Sequence, residues 1–217
     1  MIADIAGKGT RLGRTVAPRT MTTDPRFPEL VSLACHDLRT PLATVAGFAS
    51  TLLRVGTLDQ QGERYVGLIE AASGQLAAII DDLNVAASIQ AGRWEPAPEE
   101  VDTLELARGV AEELGPGVVA VSGRGATVRV DRDAATRALA GLTKAALRHG
   151  RLERVGLAVD ANAVTISPLD DATAGIVRGE LLRDLGAAAG RAVIEALGGH
   201  LRRGDDSLVV DLPVTPA

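Results

Sequence analysis

FPELVSLACHDLRTPLATVAGFASTLL, residues 27–53, decides the first half of the fold. Phe27, Val31, Ala34, Leu38, Leu42, Val45, Ala49 and Leu52 recur at intervals of four and three, which is one face of an α-helix. Gly56 ends the run, and 57–62 is polar and turn-like. A second run follows at Tyr65, Ile69, Ala72, Leu76, Ile79, Leu83 and Ala86, a strict alternation of fours and threes with the period of a coiled-coil seam. Two helices of about 45 Å joined by a short turn predict an antiparallel hairpin. A lone hairpin covers only part of these stripes, so two hairpins are expected to pair in a homodimeric four-helix bundle.

Working outward, 1–25 has no sustained period and scattered basic residues (Lys8, Arg11, Arg14, Arg19), and reads as a flexible leader. The hairpin domain is set at 26–92, followed by a proline-containing linker, RWEPAPEE, at 93–100. Texture changes at 101–217. Helices are expected at 104–114, 131–148, 176–185 and 187–197. Strands are expected at 118–122, 127–130, 155–159, 163–166 and 207–212, with a hairpin turn at Ala161-Asn162. Strands and helices mixed without strict alternation give an α+β class: helical hairpin first, α/β sandwich second. The four aromatics, Phe27, Phe48, Tyr65 and Trp94, all precede residue 95, so the second core must be built from Ala, Val, Leu and Ile.

Composition excludes several function classes. The 217 residues are 46% apolar and 24% charged, with net charge -5, which is globular and mildly acidic rather than the basic balance of a nucleic-acid binder. Cys35 is the sole cysteine, so an intrachain disulfide and cysteine-based metal layouts are excluded. His36, His149 and His200 are too scattered for a histidine-rich metal site. The longest uncharged run, 40–53, is too short to span a bilayer, and the N-terminus has no signal-peptide core. A cytoplasmic protein without a membrane or nucleic-acid partner is the expectation.

Chemistry concentrates on the first helix. His36 is two positions from both Ala34 and Leu38, about 200° around the helix, so it is expected on the solvent side. A solvated imidazole near neutral pH is a nucleophile or proton carrier. Asp37 is placed to accept its ring proton, and Thr40, one turn on, to position a water. Pro41 removes a backbone hydrogen bond just after this cluster and is expected to kink the helix. Cys35 reads as a small buried hydrophobe.

The string HDLRTPL at 36–42 resembles the H-box of bacterial sensor histidine kinases, a family with a dimeric helical hairpin followed by an ATP-binding α+β domain. The resemblance implies phosphorylation of His36, with Asp37 as its general base and Thr40 assisting dephosphorylation. The second half departs from the pattern wherever the family holds ATP. The magnesium-binding Asn falls on Ala145, and a second Asn, four residues earlier, falls on Gly141; neither supplies the oxygen that magnesium demands. The first glycine box falls on DATAG at 171–175, keeping Asp171 and Gly175 but losing the first Gly to Thr173. The second falls on DLG at 184–186, where Asp184 would meet phosphate with like charge and only Gly186 survives. Eight residues, IVRGELLR at 176–183, stand where the family has a lid.

Asp171, Gly175 and Gly186 are thus remnants of a nucleotide site. The implied function is a histidine phosphotransferase of a two-component phosphorelay. It would exchange phosphoryl groups with receiver-domain aspartates, use no ATP, and take magnesium from the receiver. An ATP-dependent histidine kinase with a divergent site, and a non-catalytic pseudokinase that binds a response regulator, are the alternatives.

Overall fold

The computed structural model describes residues 26–178 and 180–214. The leader expected at 1–25 lies outside the described residues. Helix α1 spans Phe27–Val55 and α2 spans Gln60–Gln90. Pro28 occupies the first turn of α1, where a missing N–H costs nothing. The Asp59 side chain accepts the Gly62 N–H at 2.8 Å and so starts α2 inside the stretch expected as turn.

The seam between the two helices shares only Ala49 with the stripe that the sequence suggested. Along α2 the buried residues are Val66, Ser73, Ile80 and Ala87, one every seven, and on α1 they are Pro28, Cys35 and Ala49. Most of these are small, and they let the helices approach closely. The expected stripe faces outward instead: Leu38, Leu76 and Ile79 are each about half exposed, at 52%, 52% and 49%. The reason is that each helix carries two apolar faces. The 4-3 alternation marks the broader one, and the hairpin uses the narrower. Helix α1 runs unbroken through Pro41.

The second unit starts in the expected linker, where Glu99–Asp102 forms β1. The remaining elements are α3 (Thr103–Leu114), β2 (Val119–Gly125), β3 (Thr127–Val130), α4 (Arg132–Gly150), β4 (Val155–Ala161) and β5 (Ala163–Ser167). They are followed by α5 (Asp171–Val177), α6 (Leu185–Ala196), β6 (His200–Arg203) and β7 (Leu208–Asp211). The main sheet has the order β2-β4-β5-β7-β6, with only β2 and β4 parallel; β1 and β3 form a separate antiparallel pair. Helices α3, α4 and α6 close the core, whose large buried members include Leu106, Leu139, Leu142, Ile166 and Ile194. The aliphatic core expected for this half is present.

The helix expected at 176–185 is absent. Asp170 caps an earlier one, accepting the Thr173 N–H at 2.7 Å, and Asp184 caps a later one, accepting the Ala187 N–H at 3.0 Å. Two N-caps fourteen residues apart leave room for a short α5 and an irregular connection, not for a helix across it. This connection leaves Leu182 85% exposed. Among the described residues no helix is long and apolar enough to cross a membrane.

Candidate functional site

Cys35 is fully buried against α2, and one helical step, about 100°, carries the next side chain outward. The His36 side chain is 78% exposed. The expected exposure holds, but its structural cause is the step from Cys35, since Ala34 and Leu38 are themselves exposed. The His36 Nδ1 lies 3.3 Å from Asp37 Oδ1. With the proton on Nδ1 and shared with that carboxylate, the lone pair stands on Nε2, which points into solvent. Thr40 is exposed one turn along, and its carbonyl accepts the Thr44 hydroxyl at 3.1 Å. Arg39 reaches across the hairpin: its Nε and Nη2 both donate to Asp81 Oδ1, at 3.2 and 2.8 Å.

The second unit is seated on α2 through α6. Between α2 and the α4–α6 layer runs a cleft of about 800 Å³, lined among others by Ile79, Asp82, Trp94, Lys144, Leu185 and Gly186. Asp82 is half-buried there. Burial pushes its carboxyl above the usual 3.8, and the nearby Asp184 and Asp81 charges add to this, while Lys144 and Arg137 oppose it. A raised native value means that the fold favours the protonated acid. Stability is therefore fully present below 3.8 and is lost as pH rises through the raised value. Asp82→Asn is expected to match the wild type at the acid end and to exceed it by about 1–3 °C in Tm at neutral pH, a modest effect because solvent screens the group. Melting curves across pH check this; equal curves at neutral pH would contradict it.

At the mouth of the cleft, Asp184 closes the α6 N-terminus with its own carboxylate. Its side chain is 2% exposed, and Oδ2 receives Arg148 Nη1 at 2.9 Å and lies 2.9 Å from His149 Nε2. Nothing in the sequence signals this three-residue cluster, because Asp184 is 36 and 35 positions from Arg148 and His149. Of the three nucleotide-site remnants, Gly186 lines the cleft, while Asp171 and Gly175 do not. Asp171 is exposed on α5 and paired with Arg203 of β6, and Gly175 packs beside Leu181.

The His Kinase A (phospho-acceptor) domain matches residues 29–92, which is the α1–α2 pair with His36 on its outer face. The hairpin is a histidine kinase phospho-acceptor domain. The chain is 33% identical to the sensor protein DivL of Caulobacter vibrioides, across 78 residues, 36% of this chain and 10% of DivL. It is 36% identical to the circadian input-output histidine kinase CikA of Synechococcus elongatus, across 88 residues, 40% of this chain and 11% of CikA. The chain thus matches about a tenth of the length of these relatives. The fold likeness reaches further. Full-length ShkA, solved in complex with AMPPNP, superposes with a TM-score of 0.61 at 22% identity, covering 88% of this chain and 47% of ShkA. The histidine kinase AdeS of Acinetobacter baumannii gives 0.55 at 16% identity, covering 83% and 98%. Phospho-acceptor hairpin plus ATPase-like sandwich is therefore the architecture of the whole described chain.

The residues behind that hairpin do not fit a magnesium nucleotide. Ala145, where the resemblance puts the magnesium-binding Asn, is fully buried and its side chain carries no oxygen. At Gly141 an added Cβ would stand 2.9 Å from the Gly186 carbonyl, and at Gly190 one would stand 2.8 Å from the Ala138 carbonyl, so α4 and α6 meet backbone to backbone. Anions bind helix N-termini through free N–H groups and the positive end of the dipole. Here the Asp184 carboxylate already takes the Ala187 N–H and sets a negative charge at the positive end of α6.

Proposed function

We propose that this chain is a histidine phosphotransferase of a two-component phosphorelay, working as a homodimer with receiver domains as donors and acceptors. The observation that carries this reading is the pairing of a solvent-facing His36 with an α6 N-terminus closed by the protein's own Asp184. His36 Nε2 attacks the phosphorus of a receiver's phosphoaspartate; the N–P bond forms as the aspartyl P–O bond breaks, and the carboxylate leaves with the receiver. Asp37 holds the Nδ1 proton and offsets the positive charge that develops on the ring. Magnesium comes with the receiver. Thr40, one turn from the phosphorylated ring, orients a water for the slow loss of the phosphoryl group. The donor decides between readings. Incubation with a phosphorylated receiver is expected to label the chain, and incubation with labelled ATP and magnesium is expected to leave it unlabelled. Label from ATP would make it a kinase; label from neither would make it a non-catalytic binder of response regulators.

The dimer is supported by the outward apolar face, where Phe27, Leu30, Phe48, Tyr65, Leu76 and Ile79 are each close to half exposed or more. Leu76→Asp is expected to give a monomer by light scattering with its helical circular dichroism intact. At 52% exposure the site tolerates a carboxylate in the single hairpin, whereas in a bundle each stranded charge costs roughly 3–5 kcal/mol. An unchanged dimer mass in the variant would overturn the bundle.

A further inference from the structure

Two adjacent carboxylates on α2 face different neighbours. Asp81 turns to the phospho-acceptor helix and holds Arg39. Asp82, one step of about 100° further round, turns to the second unit. A Cβ added at Gly186 would stand 3.4 Å from Asp82 Oδ2, so the first turn of α6 rests against this carboxylate, and the charges of Lys144 and Arg137 on α4 act on it. The cleft is lined by both carboxylates, so a single helical step joins the seat of the second unit to the turn that bears His36.

That turn is soft. Pro41 has no N–H to give the Asp37 carbonyl, so the helical ladder has a gap at the residue after His36. Arg39 lies inside the turn that lacks this bond, between Asp37 and Pro41, and its contact with Asp81 holds the turn from outside the helix. The pair is too exposed, at 44% and 50%, to contribute much to stability. Its consequence is positional.

We infer that Asp81 is a positioning residue for His36, acting through Arg39, and that with Asp82 it transmits the seating of the second unit to the phospho-acceptor turn. The inference deepens the phosphotransfer reading and rests on it for its kinetic consequence, but not for its structural one.

The test opens the seat in two independent ways and reads His36. Asp82→Phe sets a bulky ring against the first turn of α6 without adding charge among Lys144, Arg137, Asp81 and Asp184. Gly186→Leu inserts a side chain between α6 and α2 where there is room for little more than a methyl. The single Trp94 lines the cleft, and its fluorescence reports the opening. The ring resonance of His36, assigned against the other two histidines, reports the turn in the unphosphorylated full chain. Both variants are expected to change Trp94 emission and to shift the His36 resonance the same way. In an Asp81→Ala background the Trp94 change should persist and the His36 shift vanish. Asp81→Ala alone is expected to slow phosphoryl acceptance from a phosphorylated receiver about tenfold at unchanged Tm, with Asp81→Glu restoring it.

An open seat with an unmoved His36 resonance, or the same shift without Asp81, would overturn the coupling. So would an unchanged Trp94 in both variants, which would mean that Asp82 does not carry the seat. Failure of the wild type to accept phosphoryl groups would instead sink the functional reading and leave the resonance results to decide this one.

Discussion

His36→Gln is expected to bring phosphoryl acceptance from a phosphorylated receiver below detection, with Tm and dimer mass unchanged. The amide of glutamine preserves a donor near Asp37 but offers no nucleophilic nitrogen, so the N–P bond has no atom to form on. The structural cost is small because the side chain is 78% exposed, and exposed substitutions of this kind stay within about 0.5 kcal/mol. The other two histidines serve as internal controls. His149 is only 23% exposed and is held by Asp184, and His200, on the edge strand β6 of the main sheet, lies 3.3 Å from Asp211 of β7. Acid-labile, alkali-stable label surviving in the variant would place the acceptor on one of these and remove the hairpin from the chemistry. Label lost together with the dimer would contradict the geometry in which Cys35 packs inward and His36 outward.

The outward position of His36 was legible before any coordinates, but for a reason that needed revision. Period alone finds an apolar face, and both hairpin helices have two. The residues that pack within the hairpin, Cys35, Ala49, Ser73 and Ala87, are small and partly polar, so hydrophobicity ranks them below Leu38, Leu76 and Ile79, which point away. Strand β1 was hidden because Glu-Glu-Val-Asp buries only Val101 and depends on β3 for its pairing. Ile176, Val177, Leu181, Leu182 and Leu185 imitate a helix across 176–185; the caps at Asp170 and Asp184 override that periodicity. The nucleotide boxes show a different limit. Sequence reads Asp184 as a charge repelling phosphate, which is a local statement. That the carboxylate has partners of its own, Arg148 and His149, follows only from α4 ending beside the start of α6.

Asp184→Ala is expected to lower Tm by about 5–10 °C. Loss of an N-cap costs about 1 kcal/mol, and the 2% exposed carboxylate also leaves behind two cationic or hydrogen-bonding partners. Arg148 is 66% exposed and returns to water at little cost, but His149, at 23%, is left facing an uncapped helix end. Together these suggest a loss of about 2–3 kcal/mol, and each kcal/mol moves the Tm of a chain this size by about 2–4 °C. Asp184→Asn, which keeps an acceptor for the Ala187 N–H, should lose less than half as much, so differential scanning calorimetry separates the cap from the charge. The same variants ask why the second unit would retain an ATPase-like fold without a nucleotide. If Asp184 only blocked an otherwise sound site, Asp184→Gly would expose the α6 N-terminus and bind magnesium-ATP by titration calorimetry. It is expected not to, because Ala145 still offers no oxygen and the Gly141–Gly186 contact still brings α4 and α6 together at the backbone. On this account the carboxylate fills the place of an anion and stabilises the helix end that seats against Asp82.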